Sequence, residues 1–317
     1  MALKEKSNRN NEKREKKDKV LCIGEILWDM LPTGPKAGGA PMNVALHLKK
    51  FGMNAIFAGK VGNDKLGLDL IKFLESQGMD KSLIQIDNEL PTSTVQVYLG
   101  DNHLVRFEIV DNVAWDRIEL TEELKKAAKE SDVIIYGTLA SRHSFTRNTI
   151  INILDDNSNV KLIDVNLRPP YNKKEVVEDL LSRADIVKLN DDELKFISNW
   201  YDKRYNERDL IKWFLGKYNC KMICVTRGAN GAAIFDGKKF YEHPGYKVQV
   251  VDTVGSGDAF LAGFLAMRLS GEQIDKSLDF ACATGAFVAS KEGATPEYGI
   301  NEILKITNKK IYNNKHE

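Results

Sequence analysis

The sequence predicts an α/β protein in which helices flank a central, mostly parallel β-sheet. From residue 19 onward, short apolar segments of strand length alternate with amphipathic segments of helix length, and neither a repeat nor a low-complexity linker interrupts them. The candidate strands are 20–25, 55–60, 132–136, 160–165, 185–189 and 221–226. The candidate helices include 64–77, 120–130, 145–155, 190–199 and 206–217. This alternation is typical of βαβ units around a parallel sheet.

One block breaks the alternation and predicts a β-hairpin. The segments Pro91–Leu99 and Leu104–Val110 have an apolar period of two and flank Gly100–His103. Such a pattern favours two antiparallel strands joined by a short turn. Because the hairpin has no helix to cover it, we expect it to project from the core.

Composition narrows the class of protein. A chain of 317 residues with 43% hydrophobic content can bury one large α/β core or two modest ones. Its formal charge of +1 gives no reason to expect nucleic acid or membrane as a partner. No apolar run approaches the length of a membrane-spanning helix, and no signal-peptide pattern is visible. Cys22, Cys220, Cys224 and Cys282 lie in apolar stretches without metal-ligand spacing, so we expect reduced core cysteines and a cytoplasmic protein.

Residues 1–18 differ from the rest of the chain. They are polar and rich in lysine and arginine, with three glutamates interspersed, and they cannot bury enough apolar surface to fold alone. We expect a disordered basic tail. An arm that binds nucleic acid or a partner is the alternative, which the interspersed acids disfavour.

The segment Val251–Phe260 carries the strongest chemical signal. Apolar residues at helical spacing from Leu261 to Leu269 predict a helix that begins near Ser256, with Gly255 and Gly257 at its N-terminus. Unpaired backbone N–H groups and the helix dipole there suit the negative charge of a phosphoryl group. Asp258 could accept the proton of an attacking hydroxyl, or it could be only a partner of the helix dipole.

A second segment strengthens the first interpretation. Leu21–Glu25 reads as a buried strand, and Gly38–Leu48 reads as a glycine turn that runs into a helix with Pro41 in its first turn. Together the two segments resemble the ribokinase/PfkB family of carbohydrate kinases. The resemblance extends from about residue 19 to about residue 296, with the motifs in the family's order. It implies a ribokinase-like fold with a small β-sheet lid over the sugar.

The resemblance also implies a division of the chain and a sugar site. The lid would comprise 31–37 and 91–113, and the α/β core 19–30, 38–90 and 114–317. Asp29, Gly39 and Asn43 match the family's sugar-contacting positions. Ala40 stands where ribokinases carry a lysine, which makes ribose a less favoured substrate. A lid matters because water competes with the sugar hydroxyl for the phosphoryl group.

The nucleotide and metal positions are also implied by the resemblance. Asn190 and Glu193 match a motif that organises Mg²⁺, water and phosphate, although their spacing equally predicts a helix N-cap with its capping-box partner. Thr226 and Gly228 match positions that contact the phosphates and ribose of ATP. Asp252 and Thr253, with carbonyls near 290–293, match a monovalent-cation site for K⁺. Cys282 replaces an asparagine that ribokinases carry near the adenine.

Two further segments narrow the range of expected substrates. Val113–Asp116 and Asp164–Pro170 resemble bacterial fructokinases more than adenosine kinases or phosphosugar kinases. Within them, Arg168 could clamp phosphate, orient the sugar or form an ion pair with Asp164. Arg106 and Arg142 are further candidates for the site. The expected activity is therefore transfer of the γ-phosphoryl group of ATP to free fructose.

Other interpretations remain open at the level of sequence. They include a kinase of ribose, 2-keto-3-deoxygluconate or a nucleoside, and a non-catalytic sugar-binding protein. A dinucleotide dehydrogenase is excluded, because Gly24–Leu27 follows the first strand where a G-x-G-x-x-G motif would be required. The resemblance makes a homodimer through the lid plausible.

Overall fold

The computed structural model describes residues 18–31, 34–99, 105–156, 158–204 and 206–313. The strands are β1 (Lys19–Ile23), β2 (Leu27–Leu31), β3 (Gly34–Gly38), β4 (Asn54–Gly62), β5 (Ile84–Asp87), β6 (Ser93–Leu99), β7 (Val105–Ile109), β8 (Val133–Gly137), β9 (Val160–Asp164), β10 (Ile186–Asn190), β11 (Met222–Thr226), β12 (Ala232–Phe235) and β13 (Phe240–His243). The helices are α1 (Ala40–Lys50), α2 (Lys65–Ser76), α3 (Glu122–Lys129), α4 (Ser144–Asp155), α5 (Lys174–Leu181), α6 (Asp191–Asn199), α7 (Glu207–Tyr218), α8 (Ser256–Leu269), α9 (Ile274–Ala289) and α10 (Ile300–Asn313).

The main sheet has nine strands in the order β13-β12-β11-β10-β9-β8-β1-β4-β5. All neighbouring pairs from β11 to β5 are parallel, and only the pairs β11–β12 and β12–β13 are antiparallel. Each of the six predicted strands and the five predicted helices has its counterpart in the structure. The predicted α/β class with a mostly parallel sheet is therefore confirmed.

Helices cover both faces of the main sheet. Leu21 and Ile23 of β1 pack into an apolar cluster with residues of α3 to α7, whereas Val20 and Cys22 pack into a second cluster with α1, α2 and α8. Alternate residues of a strand point to opposite faces, so a strand buried on both sides reads as a continuous apolar run. Cys22 and the other three cysteines are buried and form no disulfide.

A separate sheet has four strands in the order β3-β2-β6-β7. β6 and β7 form the predicted antiparallel hairpin, with Val95 opposite Ile109. β2 joins it by parallel pairing with β6, and β3 pairs antiparallel with β2. The small sheet thus draws on the two segments that the sequence suggested for a lid, with β2 beginning a few residues earlier. Among the described residues, no helix is long and apolar enough to cross a membrane.

Candidate functional site

The N-termini of two neighbouring helices, α1 and α8, define the candidate site. Pro41 lies in the first turn of α1, and α8 begins at Ser256, as the sequence predicted. The residues before them, Gly39 and Gly255, have φ angles of +123° and +73°. A Cβ at Gly39 would lie 2.3 Å from the carbonyl oxygen of Glu25, so glycine is required there by both conformation and space.

The start of α8 offers free backbone donors. The amide of Ser256 bonds to the carbonyl of Thr253, and the amide of Ala259 bonds to that of Gly255. Between them, the amides of Gly257 and Asp258 make no backbone hydrogen bond to any residue that the structure describes. Two N–H groups at the positive end of a 14-residue helix form an arrangement that suits an anion.

Asp258 and Asn43 are in direct contact. The amide nitrogen Nδ2 of Asn43 donates a hydrogen bond of 2.8 Å to Oδ2 of Asp258, across 215 positions of sequence. Both side chains are buried, and the amide oxygen of Asn43, Oδ1, has no hydrogen-bond partner among the described residues. The structure therefore brings together Asp258, the predicted base, and Asn43, a predicted sugar-contacting residue. The buried oxygen Oδ1 of Asn43 remains available to a ligand.

Burial changes the acidity of Asp258. Desolvation, together with the nearby charge of Asp164, raises the pKa of Asp258 from its ordinary value near 4 to about 6. The ammonium of Lys188, the hydrogen bond from Asn43 and the guanidinium of Arg168 oppose the increase. The carboxylate still predominates at pH 7, and its proton affinity is higher than that of an exposed aspartate.

Glu25 is a polar residue of the site that the sequence reading missed. Its Oε1 accepts a hydrogen bond of 3.2 Å from the amide of Ala40 at the start of α1, and its buried Oε2 has no partner among the described residues. Desolvation raises the pKa of Glu25 to about 7, with a smaller contribution from Asp258 in the same direction. A glutamate two residues after a buried strand was the available signal.

Arg168 lies within electrostatic reach of three carboxyl groups. It lowers the pKa values of Glu25, Asp29 and Asp258, against the burial that raises each of them. Asp29 lies on β2, and its pKa is raised to about 6. Asp164 is paired with Lys188, and the ion pairs of the described residues do not include the suggested one between Arg168 and Asp164. Arg168 could therefore still orient the sugar or bind phosphate.

The other two arginine candidates differ. Arg142 is buried, binds both carboxylate oxygens of Asp116 and stacks on the ring of Trp115, with its guanidinium carbon 4.0 Å from the ring centroid. It also donates to the carbonyl of Val110, just after β7. Arg142 thus connects the small sheet to the core. The side chain of Arg106 lies outside the described residues.

Asn190 and Glu193 form a complete capping box at the start of α6. Oδ1 of Asn190 accepts from the amide of Glu193 at 2.8 Å, and Oε2 of Glu193 accepts from the amide of Asn190 at 2.8 Å. Oε1 of Glu193 accepts a further hydrogen bond of 2.7 Å from the amide of Leu167. The pKa of Glu193 is raised, chiefly by burial. The capping interpretation is confirmed, and the role in organising Mg²⁺ stays a prediction.

The predicted nucleotide positions lie next to this box. Thr226 ends β11 and pairs in register with Asn190 of β10. Gly228 has a φ of +54° in the turn that follows, and Gly231, at the end of that turn, has a φ of +78°. The structure thus brings Thr226 beside Asn190 at the carboxyl edge of the sheet, where ligands of α/β proteins commonly bind.

The two segments suggested for a monovalent cation also meet. Oδ2 of Asp252 accepts from the amide of Gly293 at 3.1 Å, and Oδ1 accepts from the amide of Val254 at 3.0 Å. Ala294, next in the chain, packs against Gly255, because a Cβ at Gly255 would lie 2.6 Å from the Cα of Ala294. A cation held between these segments would therefore lie directly behind the N-terminus of α8.

Comparisons with known proteins support the family resemblance and the fold. The family model described as pfkB family carbohydrate kinase matches residues 32–298. Probable fructokinase-7 of Arabidopsis thaliana is 28% identical, over 89% of this chain and 90% of its own length. An ATP-dependent 6-phosphofructokinase of Thermoanaerobacterium thermosaccharolyticum is 27% identical, over 88% and 90%. The crystal structure of a fructokinase with bound ATP from Xylella fastidiosa superimposes with a TM-score of 0.82 at 24% identity, covering 93% of this chain and 99% of that one.

Proposed function

Because the chain belongs to the pfkB family of carbohydrate kinases, we propose that it transfers the γ-phosphoryl group of ATP to a hydroxyl of free fructose. One observation carries the proposed chemistry: Asn43, at a sugar-contacting position of the family, holds the carboxylate of Asp258 at the start of α8. A base in that place is close to both the sugar and the free amides of the helix. We choose fructose over other sugars because relatives of this chain, such as probable fructokinase-7 of Arabidopsis thaliana, are named fructokinases.

In this proposal the sugar binds between Asp29, Gly39 and Asn43. The free Oδ1 of Asn43 accepts a hydrogen bond from one hydroxyl, and the carboxylate of Asp29 accepts from two adjacent hydroxyls. Satisfying a buried acceptor that lacks a partner makes sugar binding favourable at that point. Gly39 would contribute its backbone to the sugar site, since the carbonyl oxygen of Glu25 takes the space that a side chain there would need.

Asp258 acts as the general base. The attacking hydroxyl oxygen forms a bond to the γ-phosphorus while the bond between that phosphorus and the bridging oxygen of ADP breaks. The hydroxyl proton passes to Asp258 late, when the oxygen has become acidic through bonding to phosphorus. The raised pKa of about 6 makes Asp258 a stronger proton acceptor than an exposed aspartate while keeping it ionised at neutral pH.

The backbone around Gly255, Ser256 and Gly257 stabilises the developing charge. The amides of Gly257 and Asp258 would donate to the equatorial oxygens of the transferring group, since they have no backbone partner among the described residues. ATP would extend from there toward Asn190, Thr226 and Gly228. Mg²⁺, when bound, neutralises phosphate charge, and Glu193 with Asn190 would hold it through water. K⁺ would lie near Asp252 and Thr253.

The small sheet is proposed to act as a lid. Its segments 31–37 and 91–113 would close over the sugar and exclude water, which otherwise accepts the phosphoryl group. Arg142 would hold the end of β7 in place through its hydrogen bond to the carbonyl of Val110. Pairing of two such sheets would give a homodimer, and the proposed cellular setting is the cytoplasm.

A coupled assay of ADP release tests the proposal on a panel of acceptors. The panel contains fructose, its C3 and C4 epimers, ribose, adenosine, 2-keto-3-deoxygluconate and fructose 6-phosphate. We expect fructose to have the highest kcat/KM, with each epimer about 10- to 200-fold lower, because an inverted hydroxyl leaves a buried polar group unpaired. A higher value for another acceptor would overturn the choice of fructose. Sugar binding without turnover would instead support a non-catalytic sugar-binding protein.

A further inference from the structure

A buried lysine lies beside the proposed anion site and has no role in the chemistry so far. Lys188, on β10, is 7% exposed, and Asp164, at the end of β9, is 4% exposed. The ammonium Nζ of Lys188 lies 2.9 and 2.8 Å from the two carboxylate oxygens of Asp164. Removing both charges from water costs several kcal/mol per ion, so a buried pair is weak evidence for a stabilising role alone.

The position of this ammonium points to the phosphoryl group. A Cβ built on Gly257 would lie 3.0 Å from Nζ of Lys188, so the ammonium borders the space that a side chain at Gly257 would need. The neighbouring amide, that of Asp258, has no backbone partner among the described residues. Both carboxylate oxygens of Asp164 contact Nζ of Lys188, and a carboxylate at that distance favours the charged ammonium. A cation therefore stands beside the two free amides.

Lys60, the other buried lysine among the described residues, differs from Lys188 in how many of its N–H donors have partners. Nζ of Lys60, on β4, contacts Asp87 at 3.0 Å, Glu119 at 2.9 Å and the carbonyl of Arg117 at 3.0 Å. Its three N–H donors thus have three partners. Lys188 has the same number of donors, and its only hydrogen-bond partner among the described residues is Asp164, through two bonds. One donor of Lys188 is available to a ligand.

We propose that Lys188 is a further catalytic residue, whose ammonium donates a hydrogen bond to the γ-phosphoryl group as it passes from ATP to the sugar. Asp164 is then a positioning residue that holds the ammonium against the N-terminus of α8. Lys188 keeps its proton throughout, and its charge stabilises the transferring group together with the amides of Gly257 and Asp258. This inference rests on the proposed kinase function and adds a residue to it.

The test compares two charge-removing variants of the same kind, Lys188→Met and Lys60→Met. Both remove a buried ammonium and leave a buried carboxylate unpaired, so both should lower the melting temperature. We expect Lys188→Met to lower kcat by about 100-fold or more, as is typical for loss of one charge-stabilising donor, while Lys60→Met keeps kcat within about threefold of wild type. Equal turnover of the two variants would overturn the proposal.

A pH profile separates a direct role from a structural one. The charged groups facing Asp258 are Lys188, Arg168, Asp164 and Glu25, and loss of the first raises the pKa of Asp258 because a cation stabilises its carboxylate. The acid limb of kcat/KM should then move to higher pH in Lys188→Met and stay in place in Lys60→Met. An unmoved limb in both variants would contradict the proposed location of the ammonium.

If Lys188→Met does not fold, paired substitutions decide the question. Lys188→Met with Asp164→Asn removes both charges, and Lys60→Met with Asp87→Asn is its control, since neutralising both partners avoids an uncompensated buried charge. We expect only the first pair to lose turnover.

Nucleotide affinity distinguishes this inference from the proposed function. If the wild-type protein phosphorylates no acceptor of the panel, the proposed function fails, and calorimetry with ATP and with ADP decides the role of Lys188. The ratio of ATP affinity to ADP affinity should fall about tenfold in Lys188→Met, because only ATP carries the γ-phosphoryl group. An unchanged ratio would refute the contact.

Discussion

The proposed sugar side of the site, around Asn43, Glu25 and Asp258, and the proposed nucleotide side, around Glu193, differ in how completely their polar groups are satisfied. On the sugar side, Oδ1 of Asn43 and Oε2 of Glu25 are buried without a partner among the described residues, and the pKa values of Glu25 and Asp258 are raised to about 7 and about 6. On the nucleotide side, both carboxylate oxygens of Glu193 accept backbone hydrogen bonds. Unsatisfied buried groups are rare because they cost about 1–3 kcal/mol each.

In the proposed function, this difference separates residues that bind the sugar from residues that stabilise the fold. A sugar hydroxyl can satisfy the free acceptor of Asn43, so its cost in the unliganded protein is recovered on binding. Both carboxylate oxygens of Glu193 already have hydrogen-bond partners. These bonds hold the start of α6 next to Leu167. We therefore expect substitutions on the sugar side to change kinetics at little cost in stability, and substitutions on the nucleotide side to do the reverse.

The largest effect should come from Asp258→Asn. The substitution keeps the size of the side chain and removes its ability to accept a proton, so kcat should fall by at least about 100-fold, as is typical for loss of a general base. The dissociation constant of the sugar should change little. Stability should rise, because removing a buried carboxylate with a raised pKa removes a desolvation cost at neutral pH.

Asp87→Asn is the control for this substitution. Asp87 is also buried, but it is paired with Lys60 away from the site. Its replacement should lower the melting temperature and keep turnover near that of wild type. Turnover of Asp258→Asn within about threefold of wild type would remove Asp258 from the mechanism and end the contrast between the two sides.

Local pattern was sufficient to predict most of the fold. The main strands and helices followed from apolar periodicity, because each is buried along a face or on both faces of one sheet. Strand β3 could not be predicted in this way, since Gly34–Gly38 contains two glycines and a proline, which are depleted in strands. It forms because β2 offers a partner along its whole length.

The chemistry of the site was only partly visible in the sequence. Gly255, Gly257 and Asp258 lie in one continuous segment, so a local pattern was sufficient to predict an anion site with a base. The hydrogen bond from Asn43 joins positions 215 residues apart, and no local pattern shows it. Lys188 offered a signal that was missed: a charged residue between the fully buried Val187 and Leu189 of β10, where it needs a buried partner.

The next largest effect should come from Asn43→Ala. The substitution removes the free acceptor for the sugar and the donor that holds Asp258, so the KM for fructose should rise about 10- to 100-fold. The hydrogen bond from Asn43 lowers the pKa of Asp258, against the burial that raises it to about 6, and its loss raises that pKa further. Since activity requires the ionised base, kcat/KM should fall as the pH drops through about 6 in the wild type, and at a higher pH in the variant.

Asn159→Ala provides the comparison for Asn43→Ala. The amide of Asn159 donates to the carbonyls of Ala128 and Ser131, between α3 and β8, and contacts none of the site residues. Its loss should reduce stability and leave both the KM and the acid limb unchanged. If Asn43→Ala behaved in the same way, the free acceptor on the sugar side would have no role in binding.

The smallest kinetic effect should come from Glu193→Gln, which tests the nucleotide side. The new amide group places an NH₂ against one of two backbone N–H donors, so one hydrogen bond is lost and two donors face each other. We expect a loss of about 1–3 kcal/mol in the free energy of unfolding, which corresponds to a fall of about 2–4 °C in Tm for each kcal/mol. The Mg²⁺ concentration for half-maximal activity should rise a few-fold, because the neutral side chain attracts the metal and its waters less.

Asp64→Asn is the matched control, because it makes the same change at another helix start. Oδ1 of Asp64 accepts from the amide of Gly67 at 2.8 Å, and Oδ2 accepts from the amide of Thr92 at 2.8 Å. The two variants should therefore lose similar stability, and only Glu193→Gln should change the Mg²⁺ dependence. If titration with Mg²⁺ gives the same half-maximal concentration for both variants and the wild type, Glu193 acts on the fold of α6 alone, and the metal must be held by other groups at the carboxyl edge of the sheet.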